Sequence, residues 1–348
     1  MPSTNNIQWL NTLRTLATLG VIVIHVTTPV LKMMYGRNME YWWIGNAIDS
    51  CVRYIIAMFL MLSGATMLDK DYKLAEFYKK RFMRVLLPFL FWLAAYWIYR
   101  WSILPPKQQP HGFQPITRWA IDLFNKEGVS KHFWYIYMIL VLYLFVPLLG
   151  KIVRNMKPHV LVSVLAGWVV INQLQVIGLI RLPEFYIQKS FSYFMYSGYM
   201  VLGYYLYKFI TPTEKFRFIA AVVFMSTVLV SALSTYFLSS RAHKLDTTMY
   251  GSLTLNTMLQ ASALFLLAKN TTIKNRVLRW LNELVSDHSY GIYLVHVMVI
   301  SILFNHKIFW TMAYPLVSLP VIVLLTVGIS FGIIFLLRKI PMGKYVSG

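Results

Sequence analysis

The stretch LNTLRTLATLGVIVIHVTTPV, Leu10 to Val30, is apolar over the length of a membrane crossing, yet it carries an arginine and a histidine. Arg14 and His25 are eleven residues apart, which at about 100° per residue is roughly three full turns plus 20°. On a helix both lie along one face, separated by about 16 Å of rise. An ionisable group in the hydrocarbon region costs roughly 2.5–3.5 kcal/mol on insertion scales, so by default it marks a site or a pathway. The plainer reading is a packed helix with one snorkelling arginine and one hydrogen-bonded histidine. The segment lacks a basic leader and a small-x-small cleavage site, so it is expected to be retained and not removed as a signal peptide.

Segments of the same kind recur from end to end. The 348 residues are 58% hydrophobic and only 13% charged, which excludes a soluble domain of this size and leaves an all-α polytopic integral membrane protein. Hydropathy predicts about ten transmembrane helices, near 9–30, 43–68, 85–104, 133–150, 159–180, 190–208, 217–238, 252–269, 287–305 and 313–337. No stretch is left over for a soluble domain, so residues 1–348 are expected to form a single transmembrane domain. The net charge of +21 could suggest nucleic acid, but the basic residues sit in short loops between spans. One set of alternate loops, with the C-terminal tail, holds 19 of the 33 lysines and arginines against 12 in the other set. The positive-inside rule therefore expects both termini to be cytoplasmic. The single cysteine, Cys51, has no partner within the chain.

Two connections are longer than a turn. Asp69 to Arg84, DKDYKLAEFYKKRFMR, interleaves apolar and basic residues and reads as an amphipathic interfacial helix, either anchored on anionic lipid or holding a ligand. Pro105 to His132 opens with PPKQQPHGFQP and predicts an irregular external loop with a short helix near 116–124.

The polar residues inside the spans fall into two strata. Asn46, Asp49, Ser50 and Arg53 lie in the outer half of the second span, at about the depth of His25. Asp49 and Arg53, one turn apart, can pair, either as a structural ion pair or as part of a site. Ser63 and Gly64 lie at the depth of Arg14, where small residues suit close helix packing as well as a ligand. His132 and Trp134 stand in the aromatic cluster that opens the fourth span. Ser192, Tyr193, Tyr196 and Ser197 open the sixth, Asn256 and Gln260 share a face of the eighth, and Ser289, Tyr293 and His296 mark the ninth. The chain has no GxSxG elbow, P-loop, HExxH or CxxC, so serine hydrolases, nucleotide-driven pumps and zinc enzymes lose ground. What remains is a membrane cavity with histidine bases, inward-facing cations and a basic mouth.

These residues resemble the membrane-bound acyltransferase 3 family, in look closest to its branch containing the enterobacterial common antigen O-acetyltransferase. The resemblance runs over nearly the whole chain. It rests on the Arg14–His25 spacing, WWIGNAIDSCVR from Trp42, FLMLSG ending at Gly64, KKRFMRVLLP from Lys79, HFWYIY from His132, the glycine-bearing sixth span, and SYGIYLVH ending at His296. It implies an enzyme of the bacterial inner membrane that moves an acyl group, usually acetyl, from cytoplasmic acyl-CoA to a hydroxyl of a cell-surface or lipid-linked glycan. Many relatives carry an appended esterase-like domain, for which these 348 residues have no room. No metal and no nucleic-acid partner are expected; membrane lipid and a glycan acceptor are.

On this reading His25 is the base that takes the hydroxyl proton, with Asp49 orienting or balancing it and Arg53 holding Asp49 or contacting the acceptor. Arg14 stands beside the cofactor, on a phosphate or on the acyl carbonyl. Lys79, Lys80, Arg81 and Arg84 are expected on the nucleotide phosphates, and Ser63 and Ser289 along the tunnel. Asn46, His132, Trp134 and His296 are expected on the acceptor side. Direct transfer and a covalent acyl-histidine both fit. The rival is a transporter or flippase for a lipid-linked saccharide, which also uses buried Arg, Asp and His. The acyl group, the acceptor and the oligomeric state are not legible in the sequence.

Overall fold

A computed structural model describes residues 4–103, 130–180 and 193–348. Its α-helices run α1 Thr4–Met34, α2 Met39–Ser50, α3 Ile55–Met67, α4 Leu74–Ile103, α5 Trp134–Arg154, α6 Pro158–Val176, α7 Ser197–Phe209, α8 Glu214–Ala242, α9 Leu255–Ala268, α10 Arg276–Asn305 and α11 Pro315–Lys339. Nine segments among the described residues are long and apolar enough to cross a membrane, and they correspond to nine of the ten expected spans. The remaining one, the sixth, is described only from residue 193, where α7 supplies its second half. The expected helix at 116–124 and Ser192 lie outside the described residues.

The architecture is an inside-out bundle. The outer helices α8 and α11 turn Phe218, Leu229, Phe237, Leu324 and Leu336 outward, where water would make them a liability and lipid tails do not. α3 is buried except along the half-buried stripe Ile56, Phe59, Ser63 and Thr66, as a helix apolar nearly all round must be. α1 is the hub and packs on α2, α3, α10 and α11, while α3 lies against α7. That last contact is backbone to backbone. A Cβ on Gly64 would run into the Met200 carbonyl, and one on Gly203 into the Met61 backbone. Gly203→Ala should therefore destabilise the protein by about 1–3 kcal/mol, read as earlier thermal unfolding in detergent. Gly328→Ala, which meets nothing within 4 Å, should unfold with the wild type.

The second span departs from a single continuous helix. It breaks at residues 51–54 between α2 and α3. Irregular backbone at membrane depth persists only where protein satisfies it, and Gln260 of α9 donates to the Ser50 carbonyl at 2.8 Å. The basic segment before the third span also differs from expectation. Residues 74–84 are the first turns of the 30-residue α4, continuous with the span, and do not form a separate interfacial helix.

Lysine and arginine side chains close other helix ends. Lys269 is buried and donates to the carbonyls of Leu206, Tyr207 and Ile210 at 3.0, 2.6 and 2.5 Å, capping the last turn of α7. Arg154 does the same for the end of α3 through the Leu68 and Lys70 carbonyls at 2.9 and 2.7 Å, and it pairs with Asp71.

Candidate functional site

Four helical stripes and two further arginines enclose a cavity of about 490 Å3. α3 contributes Phe59, Leu62, Ser63, Thr66 and Met67, α4 Arg81, Arg84 and Val85, α5 Tyr135, Ile139 and Tyr143, and α10 Ser286, Ser289, Tyr290 and Tyr293. Each set recurs at three- and four-residue intervals, the spacing of one helix face. Arg14 completes the wall from α1 and Arg338 from α11. Four guanidinium groups line the cavity against a single acidic side chain, that of Asp287, an arrangement that suits an anion. Arg14 is held in place: one of its nitrogens donates at 3.0 Å both to Asn11 Oδ1 and to Ser286 Oγ, and Ser286 Oγ donates to Asn11 Oδ1 at 3.1 Å.

A second cavity of about 160 Å3 lies further along α1, on the His25 side. Its wall includes Val21, Ile24 and His25 from α1, Arg53 from the break, Ile55 and Ile56 from α3, Trp134 and Tyr135 from α5, and His132, Tyr250 and Ser252. Pro29, four residues beyond His25, has no N–H to bond the His25 carbonyl in helical fashion.

Beside His25 stand two more imidazoles. The ring centroids of His25 and His296 are 5.2 Å apart, those of His132 and His296 5.2 Å, and those of His25 and His132 6.2 Å. His296 is fully buried, and its Nδ1 lies 2.6 Å from the Tyr293 carbonyl, so Nδ1 carries the proton. His132 Nδ1 is 2.8 Å from Ser130 Oγ, and the His132 carbonyl accepts from the Tyr293 hydroxyl. The Nε2 atoms of both are buried with no protein partner. Among the described residues, no group of three His, Cys, Asp or Glu side chains is placed to hold a metal ion.

The sequence-derived candidates divide by position. Arg14, Ser63, Arg81, Arg84 and Ser289 all line the larger cavity, whereas Lys79 and Lys80 are exposed on α4 outside its wall. His25, Arg53, His132 and Trp134 line the smaller one, with His296 packed behind. Asp49 is fully buried and lines neither: Thr27 donates to its Oδ1 at 2.9 Å, and Arg53 forms an ion pair with Oδ2. It thus holds Arg53, whose guanidinium carbon sits 3.7 Å above the Tyr250 ring. Asn46 is also interior, donating to the Ala232 carbonyl at 3.0 Å and accepting from the Tyr250 hydroxyl. It joins α2 to α8 and steadies Tyr250.

Sequence reading did not single out Phe59, Tyr135, Tyr143, Tyr290, Ser286, Tyr250 or Arg338 as wall residues. Arg338 looks like one more positive-inside residue at a helix end, and the tyrosines look like core. Only the α10 stripe could have been found, by extending the Ser289–Tyr293 face back by a turn to Ser286.

Compared with known families, residues 7–338 match the one described as "Acyltransferase domain". No curated protein and no solved structure matches the chain.

Proposed function

Because the chain belongs to the acyltransferase 3 family, matched over residues 7–338, we propose that it transfers a short acyl group, acetyl first among them, from acyl-CoA to a hydroxyl of a cell-surface or lipid-linked glycan. The observation that carries this reading is the pairing of an arginine-walled cavity with a histidine-walled one along the same helix, α1. The first suits the phosphates of a nucleotide-bearing thioester and the second suits a neutral hydroxyl and its proton.

In the proposed orientation the Arg14 side faces the cytoplasm of a bacterial cell and the His25 side faces outward across the inner membrane. Arg81, Arg84 and Arg338 hold phosphate oxygens with charge-assisted hydrogen bonds. Ser63 and Ser289 stand along the path of the thioester arm. At the other end His25 accepts the proton of the attacking hydroxyl, the hydroxyl oxygen bonds to the acyl carbon, and the carbon–sulfur bond breaks. The proton then passes to the departing thiolate, giving free CoA thiol and the ester. Arg53, held by Asp49, supplies positive charge where the oxyanion develops.

The test is direct binding of acetyl-CoA to purified protein in detergent, with thiol release as the second readout. Arg81→Ala and Arg84→Ala should each weaken binding about 10- to 100-fold, the worth of a hydrogen bond between charged groups. Unchanged binding in both variants would return the α4 cluster to a lipid-anchoring role. A flippase for a lipid-linked saccharide would neither bind acetyl-CoA nor release its thiol.

A further inference from the structure

The two cavities share three wall residues, Phe59, Tyr135 and Tyr293. These rings come from three helices, α3, α5 and α10, and form a row: Phe59 to Tyr135 is 5.9 Å between centroids, and Tyr135 to Tyr293 is 5.6 Å. They stand where the arginine chamber ends and the histidine chamber begins. Anything bound by its phosphates in the first and reacting at His25 in the second has to thread this waist.

The three rings are not equally free. Tyr293 is anchored through its hydroxyl to the His132 carbonyl. Phe59 carries no polar atom and is held by packing alone. Beyond the waist there is little room, because the 160 Å3 chamber is well below the roughly 300–1,000 Å3 of sites that enclose drug-sized ligands. It must also admit the acceptor hydroxyl.

We propose that this aromatic waist measures the acyl group, with Phe59 as the residue that sets the accepted chain length. The inference rests on the acyl-CoA reading given above. A two-carbon group is small enough to enter the 160 Å3 chamber, with its carbonyl within reach of His25. A six- or eight-carbon chain has no space on the His25 side and can only fold back against the Phe59 ring. Removing that ring widens the waist and opens an apolar volume beside Ile55 and Ile56.

The experiment measures binding and thiol release with acetyl-, butanoyl-, hexanoyl- and octanoyl-CoA for wild type, Phe59→Ala and Phe59→Leu. The readout is the ratio of each longer donor to acetyl-CoA. Wild type should favour acetyl. Phe59→Ala should raise the hexanoyl-to-acetyl ratio at least tenfold, since each newly buried methylene is worth about fourfold in affinity. Phe59→Leu should shift it the same way by less, and remains informative if the alanine variant fails to fold. Phe218→Ala, on the outer face of α8, should keep the wild-type ratio. Identical chain-length profiles in wild type and both Phe59 variants would overturn the waist. If wild type bound none of the four donors, the acyl-CoA reading itself would fall.

Discussion

His25→Ala is expected to lower acyl transfer by about 10²- to 10⁴-fold, the usual contribution of a positioned general base. The fold should survive, because the imidazole is only half-buried and borders a cavity. Donor binding should survive as well. The arginine cluster that would hold the phosphates lies with Arg14, about 16 Å down the same helix, too far for the imidazole to contribute. The check is glycan acylation in cells at equal protein level, paired with acetyl-CoA binding by the purified variant. Wild-type acylation would remove His25 as the base, whereas loss of both activities would mean that the variant had misfolded.

The neighbouring imidazoles explain why no surrogate should take over. The Tyr293 carbonyl holds the proton of His296 on Nδ1, its Nε2 is buried without a protein partner, and His296 is not among the residues that line the smaller cavity. His132 is tied at both ends, by Ser130 through its ring and by Tyr293 through its carbonyl. His25 and His132 both line the smaller cavity, and of the three imidazoles His25 is the one with no such tether among the described side-chain contacts.

The Arg14–His25 pair was legible in the sequence because both residues belong to one helix, whose period converts spacing directly into direction and rise. The same logic found Ser63 on a cavity wall and Gly64 in a helix contact, two readings that seemed to compete and are both realised on adjacent faces of α3. The histidine cluster was not legible as a cluster. His132 and His296 reach His25 from remote parts of the chain, and nothing in local periodicity says which helices adjoin. The break at 51–54 escaped for a different reason. Hydropathy is blind to it, since its residues continue an apolar span, and the group that satisfies the freed carbonyl, Gln260, is some 200 positions away. The Asp49–Arg53 pair was legible from their one-turn spacing, but nothing local says that Thr27 takes the other oxygen of Asp49.

Geometry favours one of the two roles open to Arg14. An oxyanion donor must sit about 3 Å from the developing charge, while the Arg14 backbone is about 16 Å along α1 from that of His25, farther than an arginine side chain can bridge. Its guanidinium is moreover held in the larger cavity by Asn11 and Ser286. If His25 is where the carbonyl is attacked, Arg14 acts on the bound cofactor and not on the reacting carbon. Arg14→Ala should then raise KM for acetyl-CoA about 10- to 100-fold, as loss of a charged hydrogen bond does, with kcat changing far less. Arg14→Lys should recover only part of that loss, because an ammonium keeps the charge but cannot reproduce the planar fork that meets Asn11, Ser286 and an anion together. Ser286→Ala should weaken donor binding several-fold by loosening the guanidinium. The opposite result, a collapse of kcat at unchanged KM in Arg14→Ala, would move the chemistry to the larger cavity and make His25 the residue that acts from a distance.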